Sequence, residues 1–162
     1  METRTMPALG TKKIDDLPEA QLDRFLGKYT PEISALARRC LAKMRRRLPG
    51  ATQLVYDNYN ALVIGFGPSD KASRAIFSIV LYPRYVTLFF LQGARLPDPQ
   101  RILQGSGNVV RRIRLESATV LDSQPVQELM GVALKRAIQP IDPRARGRLV
   151  IKSISAKQRP RR

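Results

Sequence analysis

The stretch Ala75 to Leu91, AIFSIVLYPRYVTLFFL, constrains the fold more than any other part of the chain. Two runs rich in Ile, Val and Phe flank Tyr82-Pro83-Arg84-Tyr85, and each alternates along its length. This is the pattern of two adjacent β-strands joined by a tight turn. Pairing Tyr82 with Tyr85 places Phe77, Ile79 and Leu81 beside Val86, Leu88 and Phe90. That face is continuously large and apolar, so it must be buried. The opposite face mixes Ile76, Val80, Phe89 and Leu91 with Ser78, Tyr82, Tyr85 and Thr87. Such a face is half wet, or is covered by something small or separate.

Helical segments supply the layer that the apolar face needs. Asp15, Asp16 and Pro18 open a short helix that runs to about Lys28, with Leu22, Phe25, Leu26 and Tyr29 as its apolar stripe. Thr30 as N-cap and Pro31 at the first helical position start a longer one. Its stripe is Ile33, Leu36, Ala37, Cys40, Leu41, Met44 and Leu48, close to the 3.6-residue period, and Pro49-Gly50 stops it. Gln53 to Tyr56 and Ala61 to Gly67 read as a second hairpin around the turn formers Asp57-Asn58-Tyr59-Asn60. Gly65 and Gly67 would leave a shallow hollow beside Ser78 and Thr87.

Further along, Pro97 and Pro99 forbid regular pairing in Gly93 to Arg101. Val109 to Glu116 reads as a strand, and its Arg111, Arg112 and Arg114 are the kind of charge that protects a sheet edge. Pro125 begins a last helix with Val126, Leu129, Met130, Ala133, Leu134, Ala137 and Ile138 inward, and Leu149 to Ile154 is one more strand. The expected fold is α+β. An antiparallel sheet of five to six strands carries two N-terminal helices and one C-terminal helix on one face. The expected organisation is a loose arm over 1–13, a single domain over 14–155 and a basic tail over 156–162.

Charge is the unusual property. The 162 residues carry 29 basic against 13 acidic groups, a formal net charge of +16. Residues 1–30 are balanced, whereas residues 31–50 set six basic groups against Glu32 and residues 141–162 set eight against Asp142. A surface this basic suits polyanions such as nucleic acid or anionic lipid. The plainer reading is a solvated surface that keeps a small domain soluble.

Other classes are disfavoured. The single Cys40 excludes an internal disulfide framework, and the absence of histidine removes the commonest metal ligand and general base. Cys40 falls on an apolar stripe, so a buried structural thiol is expected rather than a nucleophile. No enzymatic activity and no cofactor are expected. No apolar run reaches the length of a membrane span. METRTMPALGTKKIDD lacks the apolar core of a signal peptide, which makes the cytoplasm the expected location.

Three groups of residues carry the candidate chemistry. Gly105, Ser106, Gly107 and Asn108 can form an anion-binding nest with Arg101, Arg111 and Arg112 adding charge, or simply a tight turn. Asp16, Glu19 and Asp23 share a helix face, with Asp15 nearby. Their oxygens suit a hard cation, and equally they complement the helix dipole. The tail, with Lys157, Arg159, Arg161 and Arg162, has nothing to bury and no interleaved aromatics. Nucleic-acid binding through it would be phosphate-driven and blind to sequence.

The segments YDNYNALVIGFGPS, SIVLYPRYVTLFFLQGARLPDP and LQGSGNVVRRIRL resemble the YdhG-like family of small bacterial domains, over about Tyr29 to Ala137. The resemblance implies an α+β sandwich of helices on an antiparallel sheet and transfers no catalytic residues. Some members are described as frataxin-like iron chaperones. An iron-binding role of that kind would fall here to Asp15, Asp16, Glu19 and Asp23. The expected function is therefore a non-enzymatic binding or accessory module. Its partner would be a protein or a polyanion, with weak nucleic-acid binding or iron carriage as alternatives and no membrane contact.

Overall fold

The computed structural model describes residues 13–162, so the expected arm lies outside them apart from Lys13. In chain order it contains α1 (Pro18–Gly27), α2 (Pro31–Arg47), β1 (Thr52–Asp57), β2 (Leu62–Gly67), β3 (Phe77–Leu81), β4 (Val86–Phe90), β5 (Arg111–Leu115), α3 (Gln124–Arg136) and β6 (Leu149–Ile154). Pro31 opens α2, and the Thr30 hydroxyl accepts from the Ile33 amide at 3.4 Å, satisfying one of the free donors of the first turn.

All six strands form one sheet in the order β5-β4-β3-β2-β1-β6. Strand register carries the apolar face across it. Val55, Ile64, Ile79, Leu88 and Ile113 form one row, and Leu62, Leu81, Val86 and Leu115 the next. These side chains belong to the same buried cluster as Leu22 and Phe25 of α1, Cys40 and Met44 of α2, and Val126 and Leu129 of α3. Burying each such side chain contributes about 1.5–3 kcal/mol, so this contact dominates the stability.

The sheet is mixed rather than antiparallel throughout, because β6 pairs parallel with β1. Its neighbour in the sheet is the strand furthest from it in sequence. Ala133 and Ala137, at the end of α3, lie beside Ile76 and Phe90. That is the end of the sheet at which β1 begins, since Gln53 is in register with Phe66, Phe77 and Phe90. The chain therefore enters β6 from the same end as β1 and must run parallel to it. On its way it passes close to the end of α2. A Cβ on Gly50 would lie 1.9 Å from the Asp142 carbonyl oxygen, and one on Gly147 would lie 2.1 Å from that of Ala51. Only glycine permits both approaches.

Leu54 and Val80 are buried outside the helix-facing cluster, and Ser78 and Thr87 are buried too. The hollow expected at Gly65 and Gly67 is taken up by Ala75, whose Cα lies 2.9 Å from where a Gly67 Cβ would stand. Ile138, expected to point inward, is 82% exposed. The helix ends at Arg136, and the extended ψ of 135° at Ala137 turns the next side chain outward.

The C-terminal residues also depart from expectation. The sequence gives them nothing to bury, yet Arg161 is only 5% exposed and Asp57 is 0% exposed. Arg161 Nη2 donates to Asp57 Oδ1 at 3.0 Å and to the Asn58 carbonyl at 2.5 Å. Lys28 Nζ reaches Asp57 Oδ2 at 2.8 Å, and Gln158 Nε2 donates to the Asp57 carbonyl at 3.1 Å. Arg162 donates to the Gly27 and Lys28 carbonyls at the end of α1, which otherwise lack helical partners. Beneath the pair, the Tyr29 hydroxyl donates to the Leu81 carbonyl and accepts from the Leu62 amide. The last residues thus fasten α1 to the β1–β2 turn.

Replacing Arg161 leaves a buried carboxylate with only the half-exposed Lys28, and breaking such a pair costs about 3 kcal/mol or more. Arg161→Ala, or removal of residues 160–162, is expected to lower the urea midpoint accordingly. The double variant Asp57→Ala/Arg161→Ala should lose less than the sum of the two single variants. Equal midpoints for Arg161→Ala and the unaltered chain would show that the pair carries no stability.

Candidate functional site

Ion pairs remove much of the charge that the sequence concentrates on α2. Arg38 pairs with Asp23 at 2.5 Å and Arg45 with Glu19 at 3.2 Å, while Lys43 and Arg47 both reach Asp122 at 2.6 Å. The hydrogen bond from Lys43 holds the Asp122 carboxyl below its ordinary range, with Arg47 and Arg46 adding to the effect. The same pairs occupy two acids of the candidate cation site, whereas Asp15 and Asp16 form no ion pair among the described residues. Glu19 and Asp23 face arginines of α2, and among the described residues no group of three Cys, Asp or Glu side chains is placed to hold a metal ion.

The glycine loop is closed on itself. Gln104 and Arg112 exchange backbone hydrogen bonds, so Gly105 to Val110 form a loop on the edge of the sheet. Gly105 takes a φ of 125° and Arg101 a φ of 54°. Arg111 donates to the carbonyls of Gly107 and Val110, committing its guanidinium to the loop. Ser106, Gly107 and Asn108 are exposed, while the Asp98 carboxylate accepts from the amides of Ile102 and Leu103 beside them. Of the expected cluster, Arg101 and Arg112 keep side chains without an acid or hydrogen-bond partner among the described residues. In the tail, Lys157 and Arg159 are exposed, and Arg159 lies over the Tyr59 ring at 5.6 Å.

Tertiary structure assembles a basic surface from parts that are separate in the sequence. Strand β5 is a sheet edge, and its register places Arg112 and Arg114 on the face opposite the helices, level with Phe89 and Thr87. Tyr82 and Tyr85 stack on that face with centroids 4.7 Å apart, and the Arg114 guanidinium lies 4.8 Å from the Tyr85 centroid. Burial pushes the Tyr82 phenol up, with Tyr85 adding to this and Arg112 opposing it. Arg84 sits in the turn between the tyrosines. None of these three arginines has an acid partner among the described residues, and the exposed Glu116 is the acid at the end of β5. The signal in the sequence is the alternation at 111–115. The register that joins it to Tyr82 and Tyr85 spans a long irregular connection and has no local signature.

A cavity of about 310 Å³ opens at the other end of the sheet, between the end of α3 and the segments 73–76 and 92–96. Ile76, Phe90, Leu96, Ala133 and Ala137 form its apolar wall, and Arg74, Arg95 and Arg136 are its charged lining residues. The helical period assigns Ala133 and Ala137 to the core and gives no sign of a cavity there.

Comparison with known proteins returned no matching family model, no matching curated protein and no matching solved structure. No helix among the described residues is long and apolar enough to cross a membrane.

Cys40 is fully buried, and burial pushes its thiol up to about 11 against the opposing pull of Arg39 and Lys43. Burial likewise pushes the Tyr29 phenol up to about 12, opposed chiefly by Arg161. Both groups are neutral when protonated, and the fold holds their protons more tightly than an unfolded chain does. Their contribution to stability is therefore complete below about pH 9 and is lost as the pH rises toward 11 and 12, by at most about 3 kcal/mol each. Urea unfolding between pH 8 and 11.5 should show this decline. Cys40→Ala should delay its onset by roughly one pH unit, to the ordinary range of tyrosine near 10. A decline with the same onset in Cys40→Ala would assign it to other groups.

Proposed function

We propose that the chain is a non-enzymatic binding module with a YdhG-like domain, and that its ligand is a polyanion, with nucleic acid bound through phosphates and without base readout. The observation that carries this reading is the unequal fate of the cations. Those on α2 are largely neutralised by acids, whereas Arg84, Arg112 and Arg114 stand without acid partners around a stacked tyrosine pair. Guanidinium groups on a sheet face match phosphate oxygens well, and an exposed aromatic ring gives a sequence-tolerant surface for unpaired bases. Arg101 extends the same basic edge. Lys157 and Arg159 remain available from the tail, whereas Arg161 and Arg162 act in folding. Iron carriage is the weaker reading, because Glu19 and Asp23 are committed to arginines.

Fluorescence anisotropy with a labelled oligothymidylate of about twenty nucleotides tests this. Affinity should fall steeply between about 50 and 200 mM salt, through counterion release. Arg112→Gln/Arg114→Gln should reduce the logarithmic salt slope by about 1.4, or roughly 0.7 for each single-strand phosphate that is no longer neutralised. Absence of binding at low salt, or an unchanged slope in the double variant, overturns the reading.

A further inference from the structure

The cavity at the end of α3 is separate from the arginine–tyrosine surface and has the composition of a small-molecule site. Its volume of about 310 Å³ lies at the lower end of the range for such sites, about 300–1,000 Å³. Its wall is built from Ile76, Phe90 and Leu96 on the sheet side and from Ala133 of α3 and Ala137 just after it. The two alanines provide the room, because longer side chains there would fill the space. Ile138 extends the apolar surface at the mouth, where its side chain is 82% exposed.

The charge of the lining has one sign. Arg74, Arg95 and Arg136 contribute to it, and no Asp or Glu does. Arg136 Nη1 donates to the Arg95 carbonyl at 2.8 Å, which clips the end of the helix to the segment 93–95. The side chains of Arg74 and Arg95 have no acid and no hydrogen-bond partner among the described residues. Neutral polar groups are present in Ser73, Gln92 and Gln139. An apolar wall with guanidinium groups and no acid complements one kind of molecule. We propose that this cavity binds a small amphipathic carboxylate, its apolar chain against Ile76, Phe90 and Ala137 and its carboxylate paired with Arg74 and Arg95.

Titration of the ¹⁵N-labelled full chain with octanoate, followed by amide chemical shifts, tests this. Octanol and acetate serve as the neutral and the tailless counterparts. Octanoate should give saturable shifts centred on Ile76, Ala133, Ala137 and Ile138, with acetate and octanol each at least tenfold weaker. Arg74→Gln/Arg95→Gln should weaken octanoate at least tenfold and leave octanol unchanged, while Ala133→Leu/Ala137→Leu should abolish both. If the filled variant does not fold, the arginine variant and the shift map decide. Acetate as tight as octanoate would reduce the site to general surface charge, and octanol as tight as octanoate to an apolar cleft. Either result, an unchanged arginine variant, or no saturable shift overturns the proposal. Because the probe carries no phosphate and the variants lie away from Arg112 and Arg114, this outcome is independent of oligonucleotide binding.

Discussion

A carboxylate with no solvent exposure must be paired, and Asp57 organises one end of the molecule for that reason. Its partners come from far apart in the chain, Lys28 at the end of α1 and Arg161 next to the C-terminus. Neither cation can reach it unless α1 has docked and the last residues have folded back across the β1–β2 turn. The pair therefore couples the end of α1 and the last residues to the β1–β2 turn. Tyr29 adds a second link at the same place, through its bonds to Leu62 and Leu81. The arrangement is tight but not fully satisfied. Arg161 Nε is the one buried side-chain nitrogen or oxygen among the described residues without a hydrogen-bond partner. Such a group adds little net stability and much positional definition, because alternative placements of the tail leave Asp57 uncompensated.

Pairing likewise separates structural from available charge. A net charge of +16 does not by itself identify a binding surface. On α2 Arg38, Lys43, Arg45 and Arg47 lie within reach of Glu19, Asp23 and Asp122, and those pairs hold α1 and the segment before α3 against the helix. On β5 the alternation of the strand sends Arg112 and Arg114 to the side away from the helices, where tyrosines rather than acids are the neighbours. Exposed pairs of the α2 kind contribute at most about 1 kcal/mol each. Their consequence is mainly that they compensate much of the charge on α2, whereas Arg112 and Arg114 on the sheet face have no acid partner among the described residues.

The helices and strands themselves were determined locally. Thr30-Pro31 starts α2, Pro49-Gly50 ends it, and the alternation around Tyr82 to Tyr85 sets both strands of the central hairpin, because each signal acts within a few residues. Only tertiary structure decided the direction of β6, since that depends on the end of the sheet at which α3 delivers the chain. It also decided the role of Arg161, which reads as one more charge in a basic tail until Asp57, 104 residues earlier, is seen beside it. The basic face on β5 and the cavity beside α3 were hidden for the same reason. Each is assembled by register and packing between segments distant in sequence, and those relations are fixed by burial of the common apolar face rather than by any local preference.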